Sequence, residues 1–245
     1  MRYAILIPAR LASTRLPDKL LLAESGKPLL QHVHERAAQA PGVEAVIVLT
    51  DHERIAEAVR GFGGEVRMTR PDHRSGTDRC AEGAADLDVD IVVNLQGDEP
   101  FVDPADVAAL AGAVDQTGAD IATLGAPFAD GSDPSERSAV KAVRDGDGWA
   151  LGFTRDLGTA QSLAGRGAGQ ILHHLGIYAF RRERLLAFPA LDPTPGELEE
   201  RLEQLRALEH GWRIQVLDAA AEAFGIDTRA DYDAFLARLR DSARD

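Results

Sequence analysis

"YAILIPARLASTRLPDKLL", Tyr3 through Leu21, decides how the rest of the chain is read. Its first five residues are apolar and rich in branched side chains, the pattern of a strand buried on both faces of a parallel sheet. The loop behind them carries Arg10, Arg15 and Lys19 among small residues and prolines, with no acid before Asp18. Three cations in one loop are unexpected in a chain of formal net charge -13. An open α/β sheet binds its ligand outside the carboxyl ends of its strands, so this loop is placed to hold a polyanion such as a triphosphate. Ala9, Ala12 and Ser13 let backbone N–H groups approach such a ligand closely.

Outward from this stretch, strand and helix signals alternate. Leu29, Leu30, Val33 and Ala37 fall at helical spacing behind Pro28, and "AVIVLT" (Ala45 to Thr50) is a second buried strand. Thr50-x-x-Glu53 reads as a capping box that opens the next helix at Thr50 or Asp51. A short strand near Glu65 to Met68, a helix from Thr77 to Ala85, the strand "DIVVNL" (Asp90 to Leu95), a helix over Pro104 to Asp115 and the strand "DIATLG" (Asp120 to Gly125) continue the pattern. The expected fold class is α/β, a doubly wound, mostly parallel sheet.

The second half changes texture. Ala139 to Asp145 and Trp149 to Arg155 form a hairpin through Asp145-Gly146-Asp147-Gly148. Gly158 to Gln170 is glycine-rich with little pattern and is read as a mobile loop. Strand "GIYAF" (Gly176 to Phe180), a short helix to Phe188, one long helix from Glu197 to His210, strand "RIQVL" (Arg213 to Leu217) and a helix from Thr228 to Leu239 complete the chain. With neither repeat nor linker, residues 1–245 are taken as one domain, with a nucleotide-binding half over about 1–130 and a second half over about 131–245.

Composition narrows the function classes. The chain has 245 residues, 44% of them hydrophobic and 27% charged, ordinary for a globular protein. A net charge of -13 argues against a broad nucleic-acid surface, which needs clustered Lys and Arg over a whole face. No apolar run approaches the roughly 20 residues of a membrane span, and the N-terminus has no secretory pattern, so a cytoplasmic location is the default expectation. Cys80 is the only cysteine, which leaves no internal disulfide and no cysteine zinc cluster.

The common nucleotide motifs are absent: Gly26-Lys27 is followed by Pro28, and no Gly-x-Gly-x-x-Gly follows a strand. Four other stretches carry chemistry. "NLQGDEP" (Asn94 to Pro100) brings Asp98 and Glu99 to the end of a buried strand, where a hard cation such as Mg²⁺ takes one or two carboxylates plus substrate phosphates; a plain turn is the alternative. In "FGIDTRADYD", Asp227 precedes a helix and reads as helix-end chemistry unless it meets Asp98. "MTRPDHRSGTDR" offers Ser75, Gly76 and Thr77 at a helix N-terminus, suited to a base or a phosphate, or an ordinary capped loop. "HHLGIY" and "LEQLR" place His174, Tyr178, Glu203 and Gln204 in otherwise apolar elements; on one helix Glu203 and Gln204 point about 100° apart.

In this order and nearly end to end, these motifs resemble the 3-deoxy-manno-octulosonate (Kdo) cytidylyltransferases, the CMP-Kdo synthetases. The matching segments are "IPARLASTRLPDKLL", "TDH", "MTRPDHRSGTDR", "VNLQGDEP", "HHLGIYAFR", "LEERLEQLRALEHG" and "GIDT". The resemblance implies a Rossmann-like nucleotidyltransferase fold with a small β-rich elaboration for dimerisation and sugar binding, a homodimer, and a reaction of CTP with Kdo, dependent on Mg²⁺, that serves lipopolysaccharide synthesis. It places Arg10, Arg15 and Lys19 on the CTP phosphates, with Pro8, Ala9, Arg70, Ser75 and Gln96 around the nucleoside. It makes Asp98 and Asp227 the metal ligands and gives the sugar acid to Arg155, His174, Tyr178, Glu203 and Gln204. The segment after Phe153-Thr154-Arg155 departs from the family pattern, which keeps an 8-amino Kdo or a sialic acid as the alternative substrate. A non-catalytic nucleotide-binding regulator is the alternative of another class.

Overall fold

A computed structural model describes residues 1–129, 131–166, 169–220 and 224–242. Strand β1 (Tyr3–Ala9) is buried at every position except Pro8, as an apolar run with no polar face requires. The cationic loop leads to helix α1 (Leu29–Ala37), which turns Leu29, Leu30, Val33 and Ala37 onto the sheet. Strand β2 (Val43–Thr50), helix α2 (Glu53–Gly61), β3 (Glu65–Met68), α3 (Gly76–Gly83), β4 (Ile91–Asn94), α4 (Pro104–Thr117) and β5 (Ile121–Ala126) follow. Helix α2 starts later than the capping-box reading of Thr50. Thr50 ends the β2 ladder and its hydroxyl accepts from His52 N, while His52 Nδ1 caps the helix by accepting from Arg54 N at 3.2 Å.

The second half contains β6 (Lys141–Arg144), β7 (Ala150–Thr154), α5 (Leu157–Gly165), β8 (Gln170–Arg181), α6 (Arg182–Ala187), α7 (Pro195–Glu200), α8 (Gln204–Glu209), β9 (Ile214–Asp218) and α9 (Arg229–Ser242). Two expectations are corrected here. Most of the stretch read as a loop from Gly158 is α5: Asp156 Oδ1 caps it by accepting from Thr159 N at 2.7 Å, Ala160 is buried, and Leu163 packs where Gly152 has no side chain. Residues 167 and 168 of that stretch lie outside the described residues. The single helix from Glu197 to His210 is two short ones, because Arg201 adopts the left-handed conformation (φ 55°) and ends α7. The break lets Arg206 Nε reach Glu197 Oε2 at 2.8 Å, a pair nine residues apart that a continuous helix would hold two and a half turns apart.

Along the main path the sheet order is β3-β2-β1-β4-β8-β5-β9, and only β8 runs against the other strands. The hairpin of β6 and β7 joins through β6, which pairs with the first residues of β8. One apolar cluster joins α1, α2, α4 and α9 to one face of the sheet, and a second joins α3, α6 and α8 to the other. Burial of Ile226, Tyr232 and Phe235 fixes α9 against the first face, and Ile226 N donates to Asp98 O at 3.0 Å. That contact brings the chain end of Asp227 to the carboxyl edge of β1 and β4.

Candidate active site

The loop after β1 curls over this edge and encloses a cleft of about 330 Å³. Pro8, Arg10, Arg15, Lys19, Gln96, Asp98 and Asp227 all line it, so residues separated by more than two hundred positions meet there. Lys19 Nζ lies 2.5 Å from Asp98 Oδ2, 2.7 Å from Ile226 O and 3.2 Å from Asp227 Oδ1. Arg15 reaches the other oxygen of Asp227 at 2.9 Å. Burial disfavours the Lys19 charge, but Asp98 and Asp227 outweigh it and raise the pKa, so the ammonium stays charged. Beside them Glu99 is pushed up to about 8 by burial and by the negative charges of Asp98 and Asp227.

This arrangement bears directly on a divalent cation. Two carboxylates and a carbonyl already converge on one cationic group, a hard-oxygen set of the kind Mg²⁺ accepts. Among the described residues no group of three or more His, Cys, Asp or Glu converges as a metal site.

Around the rim, Ala9 is buried beneath the loop and Gly76 faces Pro8, where a Cβ would come within 3.1 Å of Pro8 Cγ. Ser75 caps α3 by accepting from Asp78 N at 3.1 Å. Arg10 donates to His73 O at 2.7 Å, tying the β1 loop to the loop before α3. Arg70 is not brought into the cleft. Its backbone N and its Nε both donate to Glu82, in the last turn of α3, and it lines a separate hollow with His73, Arg74 and Arg206.

The five sugar-side residues divide. His174 lines a neighbouring hollow of about 690 Å³ that shares Asp227 with the cleft. Its Nε2 is 3.0 Å from Thr123 Oγ1, which also lies 2.8 Å from Ile177 O and 3.2 Å from Leu175 O, within a bulge of β8. The Thr123 proton serves the carbonyls, so Nε2–H is the donor to Thr123, and burial lowers the His174 pKa to about 3. Tyr178 packs on His174 with ring centroids 5.5 Å apart, and burial next to Glu203 raises its pKa. Glu203 precedes α8 without a side-chain capping bond and accepts from Thr77 Oγ1 at 2.6 Å, leaving Oε2 without a hydrogen-bond partner, as is Nε2 of buried Gln204. Arg155 stands apart: its guanidinium donates to the carbonyls of Glu200 at 2.9 Å and Arg137 at 3.0 Å.

Sequence reasoning named Thr77 only as one of the small polar groups at a helix N-terminus and passed over Asn94 as an individual site residue. Both are fully buried, and they lie between Glu203 and Gln96. The available signal was a polar residue, Asn94, closing the apolar run "IVV" (Ile91 to Val93).

The cationic loop and the paired carboxylates thus lie together at the carboxyl edge of this sheet. Residues 4–214 match the family model described as Cytidylyltransferase. The chain is 45% identical over 251 residues to the 3-deoxy-manno-octulosonate cytidylyltransferase of Geobacter metallireducens, covering 98% of each chain. It is 48% identical over 236 residues to the enzyme of the same name from Anaeromyxobacter dehalogenans, covering 95% of this chain and 96% of the other. It superposes on a CMP:2-keto-3-deoxy-manno-octonic acid synthetase solved in complex with CTP, with a TM-score of 0.90 and 40% identity over 99% of this chain and 100% of that one. The chain belongs to the 3-deoxy-manno-octulosonate cytidylyltransferase family.

Proposed function

We propose that the chain is a CTP-dependent cytidylyltransferase that couples CTP to Kdo, giving CMP-Kdo and pyrophosphate for lipopolysaccharide synthesis. The observation that carries this reading is the meeting of Arg15 and Lys19 with Asp98 and Asp227 in one cleft. Arg10, Arg15 and Lys19 offer the triphosphate its counter-charge, and a small shift takes the Lys19 ammonium from carboxylate to phosphate. Asp98 and Asp227 would hold Mg²⁺, which supplies charge neutralisation and phosphoryl polarisation when bound. The anomeric hydroxyl of the sugar acid attacks the α-phosphorus in line: the new P–O bond forms as the bond to the β-phosphate oxygen breaks, and the hydroxyl proton leaves to solvent. Positioning and charge neutralisation then account for most of the rate.

Pro8, Ala9, Ser75 and Gln96 border the nucleoside in this reading, and His174, Tyr178, Glu203 and Gln204 the sugar acid. The unpaired oxygen of Glu203 and the unpaired amide of Gln204 supply an acceptor and a donor suited to a polyhydroxylated ligand. Arg70 and Arg155 join only by leaving Glu82 and the backbone carbonyls they now hold. A cytoplasmic homodimer belongs to the same proposal; none of the described helices is long and apolar enough to cross a membrane.

The test is pyrophosphate release with Mg²⁺ from a panel of Kdo, 8-amino-Kdo and sialic acid against CTP and the other nucleoside triphosphates. CTP with Kdo is expected to react fastest, and Asp98→Asn to lower kcat by about 10²-fold or more with the fold kept. Reaction with another acid but not Kdo reassigns the substrate; CTP binding with no release from any acid makes the chain a nucleotide-binding protein.

A further inference from the structure

Four polar side chains from three separate chain segments form one unbroken hydrogen-bonded chain. Thr77 Oγ1, in the first turn of α3, donates to Glu203 Oε1 at 2.6 Å; Asn94 Nδ2, at the end of β4, donates to Thr77 Oγ1 at 3.1 Å; Gln96 Nε2, in the cleft, donates to Asn94 Oδ1 at 3.1 Å. Thr77 and Asn94 are wholly inaccessible, so water cannot replace either partner. The direction of these bonds is not free. Burial raises the Glu203 pKa; in its ionised form the carboxylate only accepts, so Thr77 gives its single proton to Glu203 and takes only a donor from Asn94. Asn94 therefore turns its NH₂ to Thr77 and its oxygen to Gln96, and Gln96 turns its NH₂ inward. With its nitrogen held inward, Gln96 turns its carbonyl oxygen to the side of Gly76, whose missing Cβ would lie 3.8 Å from Gln96 Oε1.

We propose that Thr77 and Asn94 are positioning residues that transmit the acceptor character of Glu203 to Gln96, so that Gln96 meets the nucleotide with its carbonyl oxygen. The inference rests on the nucleotide reading of the cleft. It also ties the two substrates' surroundings together: Glu203, assigned to the sugar acid, sets the orientation of Gln96, assigned to the nucleoside. A hydroxyl or amino group of the nucleoside is the chemistry a carbonyl acceptor recognises.

The decisive measurement is a double-mutant cycle on CTP binding by calorimetry, alongside KM for CTP and kcat. Thr77→Val keeps the shape and removes the hydroxyl; it is expected to raise the CTP Kd about tenfold, acting on KM more than on kcat. Thr77→Ser restores the hydroxyl and should return the Kd to within about threefold of the natural chain. In a Gln96→Ala background Thr77→Val should change the Kd by less than twofold, because the amide it orients is gone. Full additivity of the two substitutions, or an unchanged Kd in Thr77→Val, overturns the proposal. A second readout does not need CTP: the ¹⁵N-labelled side-chain amide of Gln96 should resist hydrogen exchange in the natural chain and in Thr77→Ser, and lose that protection in Thr77→Val. Equal protection in Thr77→Val also overturns it. If Thr77→Val does not fold, Asn94→Leu, which keeps about the volume but offers Gln96 no acceptor, takes its place in both measurements with the same expectations. A natural chain that binds no CTP while its Gln96 amide is protected leaves the chain of bonds standing and removes the nucleotide reading instead.

Discussion

Lys19 is an ammonium with little access to water, and such a group stays charged only where opposite charge meets it. Asp98, Asp227 and Ile226 O meet it here, from chain segments far apart in sequence. The cations of the opening loop and Asp98 were legible in the sequence, because both follow buried strands and the topology rules send strand ends to one edge. The meeting with Asp227 was not: alone, Asp227 reads as the residue before a helix, and only the burial of Ile226 and α9 brings it in. His174 makes a second point. It occupies a buried site where a charged ring is disfavoured, and its pKa falls from 6.5 to about 3. Between those values the unfolded chain binds a proton that the folded chain refuses, so stability is lost as pH falls through that window. In urea titrations at pH 7 and pH 4.5, His174→Gln should start less stable, having lost the Thr123 contact, yet lose less on acidification than the natural chain. Parallel losses would show that His174 is not the group responsible.

At the scale of elements, helix positions were legible wherever a long apolar stripe faces the sheet, as in α1 and α4. The misreadings fall where no stripe exists. α5 is held by a cap and a neighbour's missing side chain, and the α7–α8 break rests on one residue in an uncommon conformation. Neither cause leaves a periodic trace. Packed glycines are equally silent in sequence. Gly83 lies where α3 crosses β2, and a Cβ there would stand 2.5 Å from Leu49 Cδ1 and 2.6 Å from Leu49 Cδ2. Leu49 is itself fully buried and has nowhere to turn. Gly83→Ala should therefore cost about 1–3 kcal/mol of stability through overpacking at the C-terminal end of α3. Gly112 in α4 has no atom nearer than Gln116 Nε2 at 3.7 Å, so Gly112→Ala should be neutral or add about 0.5–1 kcal/mol. Chemical denaturation of the pair reads both signs, and equal effects would refute the assignment of α3 docking to Gly83.

On the scale of the whole molecule, reading the chain as a nucleotide-binding half followed by a second half follows sequence order, whereas the sheet interleaves them. β8, from the second half, lies between β4 and β5 of the first. β5 pairs only with β8 and β9, so a chain ended near residue 130 leaves β5 with no strand beside it and β4 with an open edge. The interleaving was illegible because "GIYAF" carries the same apolar signal whether it adds to an edge or enters the middle of a sheet. It has a consequence for cooperativity: neither half can bury its strands without the other, so the chain should unfold as one unit. Trp149 and Trp212 both belong to the second half, while far-UV circular dichroism reports on all the helices and strands. Their unfolding curves in guanidinium should coincide, and a fragment of residues 1–130 should show neither a cooperative transition nor CTP binding. A fragment that unfolds cooperatively and binds CTP would establish that the cleft folds independently, and β8 would then be an addition to a self-sufficient sheet.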